Sequence, residues 1–215
     1  MFHEVMVQWL GHACFKVTAG EYSVVIDPYE DGYVPGIGRL RTTAAGVLCS
    51  HDHKDHGYTE AVTVRPFDGE VPFRIRTIDS WHDDKQGELR GRNQIHVLDT
   101  GRLRLVHLGD LGCMLTEEQF EQIGTPDVLM IPVGGFYTIN AAMAKVIADR
   151  TGARVVIPMH YRSEAFGFDV LDTLDAFTGQ YAGAGPEICR YAGDTLVVGP
   201  ETPGQIAVFS QWNRE

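Results

Sequence analysis

Apolar residues in the first half of the chain come in short runs, parted by glycine-bearing turns. Val5–Trp9, Cys14–Val17 and Ser23–Ile26, separated at Gly11 and at Ala19-Gly20-Glu21, predict an antiparallel meander. Gly46–Ser50 is another such run and ends directly in a histidine-rich stretch, and strands are expected again at Phe73–Ile78, Gln94–Leu98 and Arg104–Leu108. The period then changes. Thr116–Ile123 reads as a helix with Thr116 as its N-cap and Gly124 just past its end. Asn140–Arg150 places Ala141, Ala144, Ile147 and Ala148 on one helical face between a capping Asn140 and a terminating Gly152. A third helix is expected over Val170–Phe177, with strands at Asp127–Ile131, Arg154–Ile157, Glu187–Tyr191, Thr195–Val198 and Gln205–Phe209. Strands alternating with a few helices, without repeat or linker, suggest one α/β domain over residues 1–215, with two mixed sheets between helices.

Charge and composition narrow the function. With 215 residues the chain is long enough to bury a full core. Its net charge of −11, with Lys and Arg unclustered, argues against nucleic acid as a partner, because phosphate-backbone binding needs a basic surface. No run of 18 apolar residues offers a membrane span, and the first residues lack a basic leader. Cys14, Cys49, Cys113 and Cys189 are scattered without a CxxC pair, as expected of small buried residues in a reducing compartment. A cytoplasmic location is the expectation.

The strongest local signal is Cys49-Ser50-His51-Asp52-His53-Lys54-Asp55-His56-Gly57. Three imidazoles and a carboxylate, His51-x-His53-x-Asp55-His56, follow directly on a strand, and both donor types suit Zn²⁺ and similar divalent ions. Close spacing in a turn lets neighbouring side chains diverge, so two can serve one ion and two another. A solvated polar loop is the plainer reading, but three histidines interleaved with an acid at the end of a buried strand rarely arise for solubility. Cys49 reads as packing, and His3 and His96 have nothing that pairs them with the cluster.

His51-x-His53-x-Asp55-His56 resembles the signature of the metallo-β-lactamase superfamily, a four-layer αββα sandwich with its site at one edge of two facing sheets. The resemblance implies further positions. Asp27, in Val25-Ile26-Asp27-Pro28, is similar to the acid behind the metal loop, and His82, in Ser80-Trp81-His82-Asp83, to the third histidine of the first metal site. Asp110, in His107-Leu108-Gly109-Asp110, is similar to the bridging carboxylate, and His160, in Pro158-Met159-His160-Tyr161, to the last ligand of the second site. Gly11-His12-Ala13-Cys14-Phe15, Leu111-Gly112 and Pro132-Val133-Gly134-Gly135-Phe136-Tyr137-Thr138 extend the likeness to about residue 162, towards the small cytoplasmic hydrolases that include the ascorbate-6-phosphate lactonase.

The resemblance implies a hydrolase in which His51, His53 and His82 bind one ion, Asp55, His56 and His160 a second, and Asp110 both. A hydroxide held between the ions is the expected nucleophile, with Asp55 orienting it. Zn²⁺ fits the donor set best, with Mn²⁺ or Fe²⁺ as alternatives. His12, Asp27 and His107 are candidates to orient the ligands, and a buried acid such as Asp27 needs a partner in any case. Tyr137, Tyr161, Arg162 and Arg92 are the candidate substrate contacts. Arg90-Gly91-Arg92-Asn93 reads equally as an anion-receiving loop or a solvated hairpin, and Gly134-Gly135 as close backbone packing beside the site. Only residues 57–81 separate His56 from His82, too few for a sizeable lid or an RNA-binding extension. The expected partner is a small molecule carrying an ester, lactone, amide or phosphodiester; a nuclease or a di-iron redox centre is the alternative, and a homo-oligomer is allowed.

Overall fold

A computed structural model describes residues 3–183 and 185–211. Its strands are β1 (Val5–Gly11), β2 (Cys14–Ala19), β3 (Tyr22–Ile26), β4 (Thr42–Ala44), β5 (Gly46–Leu48), β6 (Val62–Val64), β7 (Arg74–Trp81), β8 (Arg92–Asp99), β9 (Arg104–His107), β10 (Val128–Pro132), β11 (Val155–Met159), β12 (Glu187–Tyr191), β13 (Thr195–Val198) and β14 (Gln205–Phe209). Its α-helices are α1 (Glu117–Ile123), α2 (Ala141–Thr151) and α3 (Leu174–Thr178). Five strands form one sheet in the order β13-β1-β2-β3-β5, and seven form another in the order β12-β14-β11-β10-β9-β8-β7. The expected meander is the β1-β2-β3 run, antiparallel throughout.

The two sheets meet through alternate residues, as the period-2 pattern requires. Val5, Val7 and Trp9 of β1 point inward, while Met6 is partly exposed. Phe15 of β2 meets the His107 ring of β9 at 5.8 Å, and Trp9 stacks on Phe209 of β14 at 6.4 Å. β10 and β11 are buried at every position, as expected of parallel strands covered on both faces. α2 packs against β10 and α3. Its cap is the expected one: Met143 N–H donates to Asn140 Oδ1, and Gly152 ends the helix with φ +62°. At α1, Thr116 and Gln119 satisfy each other's backbone N–H groups in a capping box.

One helix is shorter than expected. Val170–Phe177 yields only Leu174–Thr178, because residues 170–173 are held elsewhere: Asp172 N–H donates to Gly134 O, and Arg162 N–H donates to Asp172 O. Tertiary pairing overrides the helical pattern there. The parallel pair β4–β6 falls outside the strands expected from sequence, since three-residue strands carry too little alternation to register.

Strand direction gathers the candidate site. β7 and β9 are each antiparallel to β8, and β9, β10 and β11 are mutually parallel. The C-terminal ends of β7, β9 and β11 therefore share one edge, where His82, Asp110 and His160 follow. In the other sheet β1 and β3 are each antiparallel to β2, and β5 is parallel to β3. His12, Asp27 and the His51–His56 loop consequently leave that sheet at the matching edge. No helix is long and apolar enough to cross a membrane among the described residues.

Candidate metal centre

Three site residues turn off their strands with left-handed backbone: His12 and Asp27 at φ 53°, His160 at φ 54°. Such φ values are uncommon outside glycine and cost on the order of 1–3 kcal/mol each. The turn ends each strand abruptly and leaves all three side chains within the cluster.

The donors converge in overlapping groups. His51, His53 and His82 place one ligand atom each within 4.8 Å of one another, as do His12, Asp55, His56 and His160. Asp110 joins the two: its Oδ2 lies 3.1 Å from His56 Nε2, 3.2 Å from His160 Nε2, 3.3 Å from His82 Nε2 and 3.9 Å from His51 Nε2. All seven ligand candidates are thus brought together across more than a hundred positions of sequence.

Unsatisfied atoms test whether a cation fits. Among the described residues His51 Nε2, His82 Nδ1, Asp110 Oδ1 and the Nδ1 atoms of His12 and His160 are buried without a hydrogen-bond partner, while His56 Nε2 and His160 Nε2 face the Asp110 carboxylate. Leaving a buried polar atom unpaired costs about 1–3 kcal/mol, and the ligand atoms of His51, His56 and Asp110 lie within 4.8 Å of one another, so one shared partner can satisfy several of them. Divalent cations satisfy nitrogen and carboxylate donors together. The residues fit them.

Supporting contacts fix ring orientation. Asp27, fully buried, accepts from Ser50 N–H at 2.6 Å, Ser50 Oγ at 2.7 Å and His56 Nδ1 at 2.8 Å. Ser50 Oγ, its proton given to Asp27, accepts from His51 Nδ1 at 2.9 Å. Both histidines thereby turn Nε2 toward Asp110, the arrangement that fixes a ligating tautomer. His107 donates through Nε2 to Ala13 O at 2.9 Å and accepts Gly109 N–H at 3.1 Å; it holds the turn that presents Asp110. His12 is closer to the chemistry than a supporting role implies, with Nε2 3.4 Å from Asp55 Oδ2 and its ring 4.1 Å from that of His160.

Electrostatics follow from crowding two acids among imidazoles. Burial, the largest influence on Asp110, favours its neutral form, yet His160 and His56 hold it well below the carboxylate range. Burial likewise opposes ionisation of Asp27, but His56 and His107 bring it down to about 2. Burial and the neighbouring His56 lower His51 to about 3, and burial and His160 lower His12 to about 4. His51 and His12 are thereby kept neutral, the form in which an imidazole can ligate, whereas at His56 the carboxylates of Asp110, Asp55 and Asp27 outweigh burial and raise it well above the ordinary imidazole value.

The sequence overlooked two supports. Asn93, fully buried, donates to Ser80 Oγ and Leu108 O and accepts Asp110 N–H at 2.9 Å. Asp83 takes four backbone N–H groups, from Lys85, Gly87, Leu89 and Arg90, and so folds the loop after His82. Ser50 carried one signal, a hydroxyl between the apolar strand and the first histidine. His96, which nothing in the sequence pairs with the cluster, is buried and lies on β8 opposite His107.

A cleft of about 400 Å³ opens over the cluster, walled by Tyr33, Lys54, Arg90, Tyr137 and Phe168. Of the four expected substrate contacts only Tyr137 lines it. Tyr161 is instead buried, stacked on Trp9 at 6.1 Å. Arg162 donates through Nε to Leu171 O at 2.6 Å and borders a different recess. Arg92 opens β8, lies over the Trp81 ring at 6.0 Å and borders an adjoining recess that shares Asp52 and Arg90 with the cleft. Strand pairing and core packing, which sequence proximity does not report, keep all three off the cleft wall.

Two glycines give the site room. A Cβ on Gly134 would lie 2.1 Å from His160 O, the close packing expected of Gly134-Gly135. On Gly112 it would lie 2.3 Å from His82 C and Asp83 N. Gly112→Ala should therefore displace His82, costing about 1–3 kcal/mol of stability and lowering metal occupancy while the circular dichroism spectrum stays native. Unchanged metal content by elemental analysis would contradict this.

Comparison with known proteins agrees with the geometry. The Beta-lactamase superfamily domain matches residues 6–160. A metal-dependent hydrolase from Methanoregula boonei is 31% identical over 187 residues, covering 72% of this chain and 81% of the relative. A Thermotoga maritima crystal structure assigned to the metallo-beta-lactamase superfamily is 31% identical, with a TM-score of 0.73 over 96% of this chain and all of that one. Igni18, a metallo hydrolase from Ignicoccus hospitalis, shares the fold at 19% identity, with a TM-score of 0.64 over 91% of this chain and 98% of that one. The chain belongs to the β-lactamase superfamily and is a metal-dependent hydrolase of the metallo-β-lactamase fold.

Proposed function

We propose that the chain hydrolyses an ester, lactone, amide or phosphodiester bond of a small molecule, with two divalent ions held by His51, His53, His82, Asp55, His56, His160 and a shared Asp110. The observation that carries this reading is the position of Asp110 Oδ2, within 3.9 Å of four imidazole nitrogens drawn from both donor sets. When bound, such a pair supplies Lewis acidity and a water ionised near neutral pH.

The remaining work falls to the protein. Asp27 and Ser50 lock the tautomers of His56 and His51. Asp55 lies on the cleft wall with a carboxylate kept ionised: burial opposes this, but His56 and His12 overcome it. As an ionised acceptor it would orient the attacking water by hydrogen bonding. Tyr33, Tyr137 and Phe168 exclude water from one side of the bound substrate, and a cleft of about 400 Å³ suits a small molecule. No protein nucleophile is needed.

Zinc fits five imidazoles and two carboxylates best, and manganese and iron are the alternatives. The cysteines are unpaired among the described residues, which suits the reducing cytoplasm included in the proposal. Elemental analysis of the purified protein should find close to two equivalents of one transition metal. Dialysis against a chelator should abolish turnover in a screen of lactones, aryl esters and phosphodiesters, and the same metal should restore it. Turnover that survives complete metal removal would overturn the reading.

A further inference from the structure

The protein is strongly acidic, with a net charge of −11, yet the cleft wall holds two cationic side chains, Lys54 and Arg90. Lys54 is committed: its Nζ lies 3.0 Å from Glu30 Oε2. Arg90 is not. Its guanidinium makes no hydrogen bond or ion pair among the described residues and lies 5.5 Å from the ring centroid of Tyr137. An arginine beside a cleft, stacked on an aromatic face and without a carboxylate, keeps its five donors for a ligand.

The backbone beneath it is built to hold position. The buried carboxylate of Asp83 gathers the N–H groups of Lys85 and Gly87 on one oxygen and of Leu89 and Arg90 on the other, at 2.7–3.0 Å. Gly91 N–H then closes the loop onto Gly87 O at 3.0 Å. Four bonds to one carboxylate, immediately after His82, tie the base of Arg90 to the metal-binding edge. A loop ordered in advance loses little entropy when its arginine engages a ligand. Opposite, Phe168 stands 6.1 Å from Tyr137 and 5.8 Å from Tyr33, an aromatic wall for an apolar body.

We propose that Arg90 is the specificity residue of the cleft and selects substrates bearing an anionic group, carboxylate or phosphate, separate from the bond that is cut. This rests on the hydrolase reading above. The substrate class is then an ester, lactone or amide with a short apolar segment between the scissile bond and a terminal oxyanion.

Two experiments on the metal-loaded protein separate this claim from the broader one. In the first, mono-4-nitrophenyl glutarate is compared with uncharged 4-nitrophenyl pentanoate. The charged ester should be preferred by about tenfold to a hundredfold in kcat/KM, the range of a charge-assisted hydrogen bond. In Arg90→Ala that ratio should collapse toward one through KM, and Arg90→Lys should recover part of it. The second needs no turnover: calorimetric titration of dicarboxylates from succinate to adipate, and of 3-phosphonopropionate, against monocarboxylates of equal length. At least one double anion should bind about tenfold more tightly than its partner in the wild type but not in Arg90→Ala. Whether the tighter ligand is dicarboxylate or phosphonate names the oxyanion. A preference that is absent, or that survives Arg90→Ala, overturns the assignment. Failure of every ester in the screen would instead count against hydrolysis and leave the titration to decide Arg90.

Discussion

Asp110→Ala is expected to remove bound metal and hydrolytic activity together, with turnover falling by at least roughly 10³-fold. The size of the effect follows from position. Asp110 Oδ2 lies within 3.3 Å of a ring nitrogen of His56, His82 and His160 at once, and no other carboxylate among the described residues forms ion pairs with all three. Removing it leaves these imidazoles crowded around a void and, with two cations bound as proposed, would let them repel each other without a shared anion. Asp110→Asn keeps the shape and the Asn93 contact to its backbone N–H at 2.9 Å but halves the acceptor set, and should fall between alanine and wild type. Metal content and kcat measured on the same preparations decide the matter. An alanine variant that keeps two equivalents of metal and normal turnover would remove Asp110 from the centre.

Asp27→Asn should cost both stability and metal affinity without touching an ion. Its folded pKa of about 2 lies below the ordinary 3.8; burial pushes it up, and His56, then His107 and His51, more than compensate. Since the folded value is the depressed one, the contribution is fully present above pH 3.8 and fades as pH falls toward 2. A shift of this size corresponds to about 2 kcal/mol. The wild type should therefore lose stability steeply across that acid window, and the asparagine variant should show a flatter limb and a lower plateau. Metal affinity should drop about 10–100-fold, the usual penalty for losing a carboxylate behind a histidine ligand. Chemical denaturation at several pH values and competition with a chromogenic chelator provide the two readouts. An unchanged acid limb would mean that Asp27 is not the group responsible.

What could be read from the sequence was what is local. The His51–His56 loop announces itself because four ligand candidates lie within six residues, and α2 because Asn140, its apolar face and Gly152 are consecutive signals. Asp27, His82, Asp110 and His160 became legible only through likeness to a known family, since no spacing rule connects residues so far apart. Asn93 and Asp83 were missed because their value lies in backbone groups they satisfy, and an asparagine or aspartate in a loop has many plainer uses. Arg92 and Arg90 show how fine the limit is. Two residues apart in one charged segment, they part because Arg92 begins β8, pairs with Trp81 and stacks there, whereas Arg90 stays in the loop clamped by Asp83.

The proposed ligand set is divided between the two sheets: the His51–His56 loop leaves the five-stranded one, and His82, Asp110 and His160 leave the seven-stranded one. Ions bound as proposed would act as a clasp across the sandwich, and the halves could not separate at that edge without releasing them. The folded population would thus be coupled to the ambient concentration of free metal, each tenfold increase deepening the native well by about 1.4 kcal/mol per bound ion while the sites are saturating. Starvation for the cation would then reach the protein twice, as lost turnover and as faster clearance of a loosened chain.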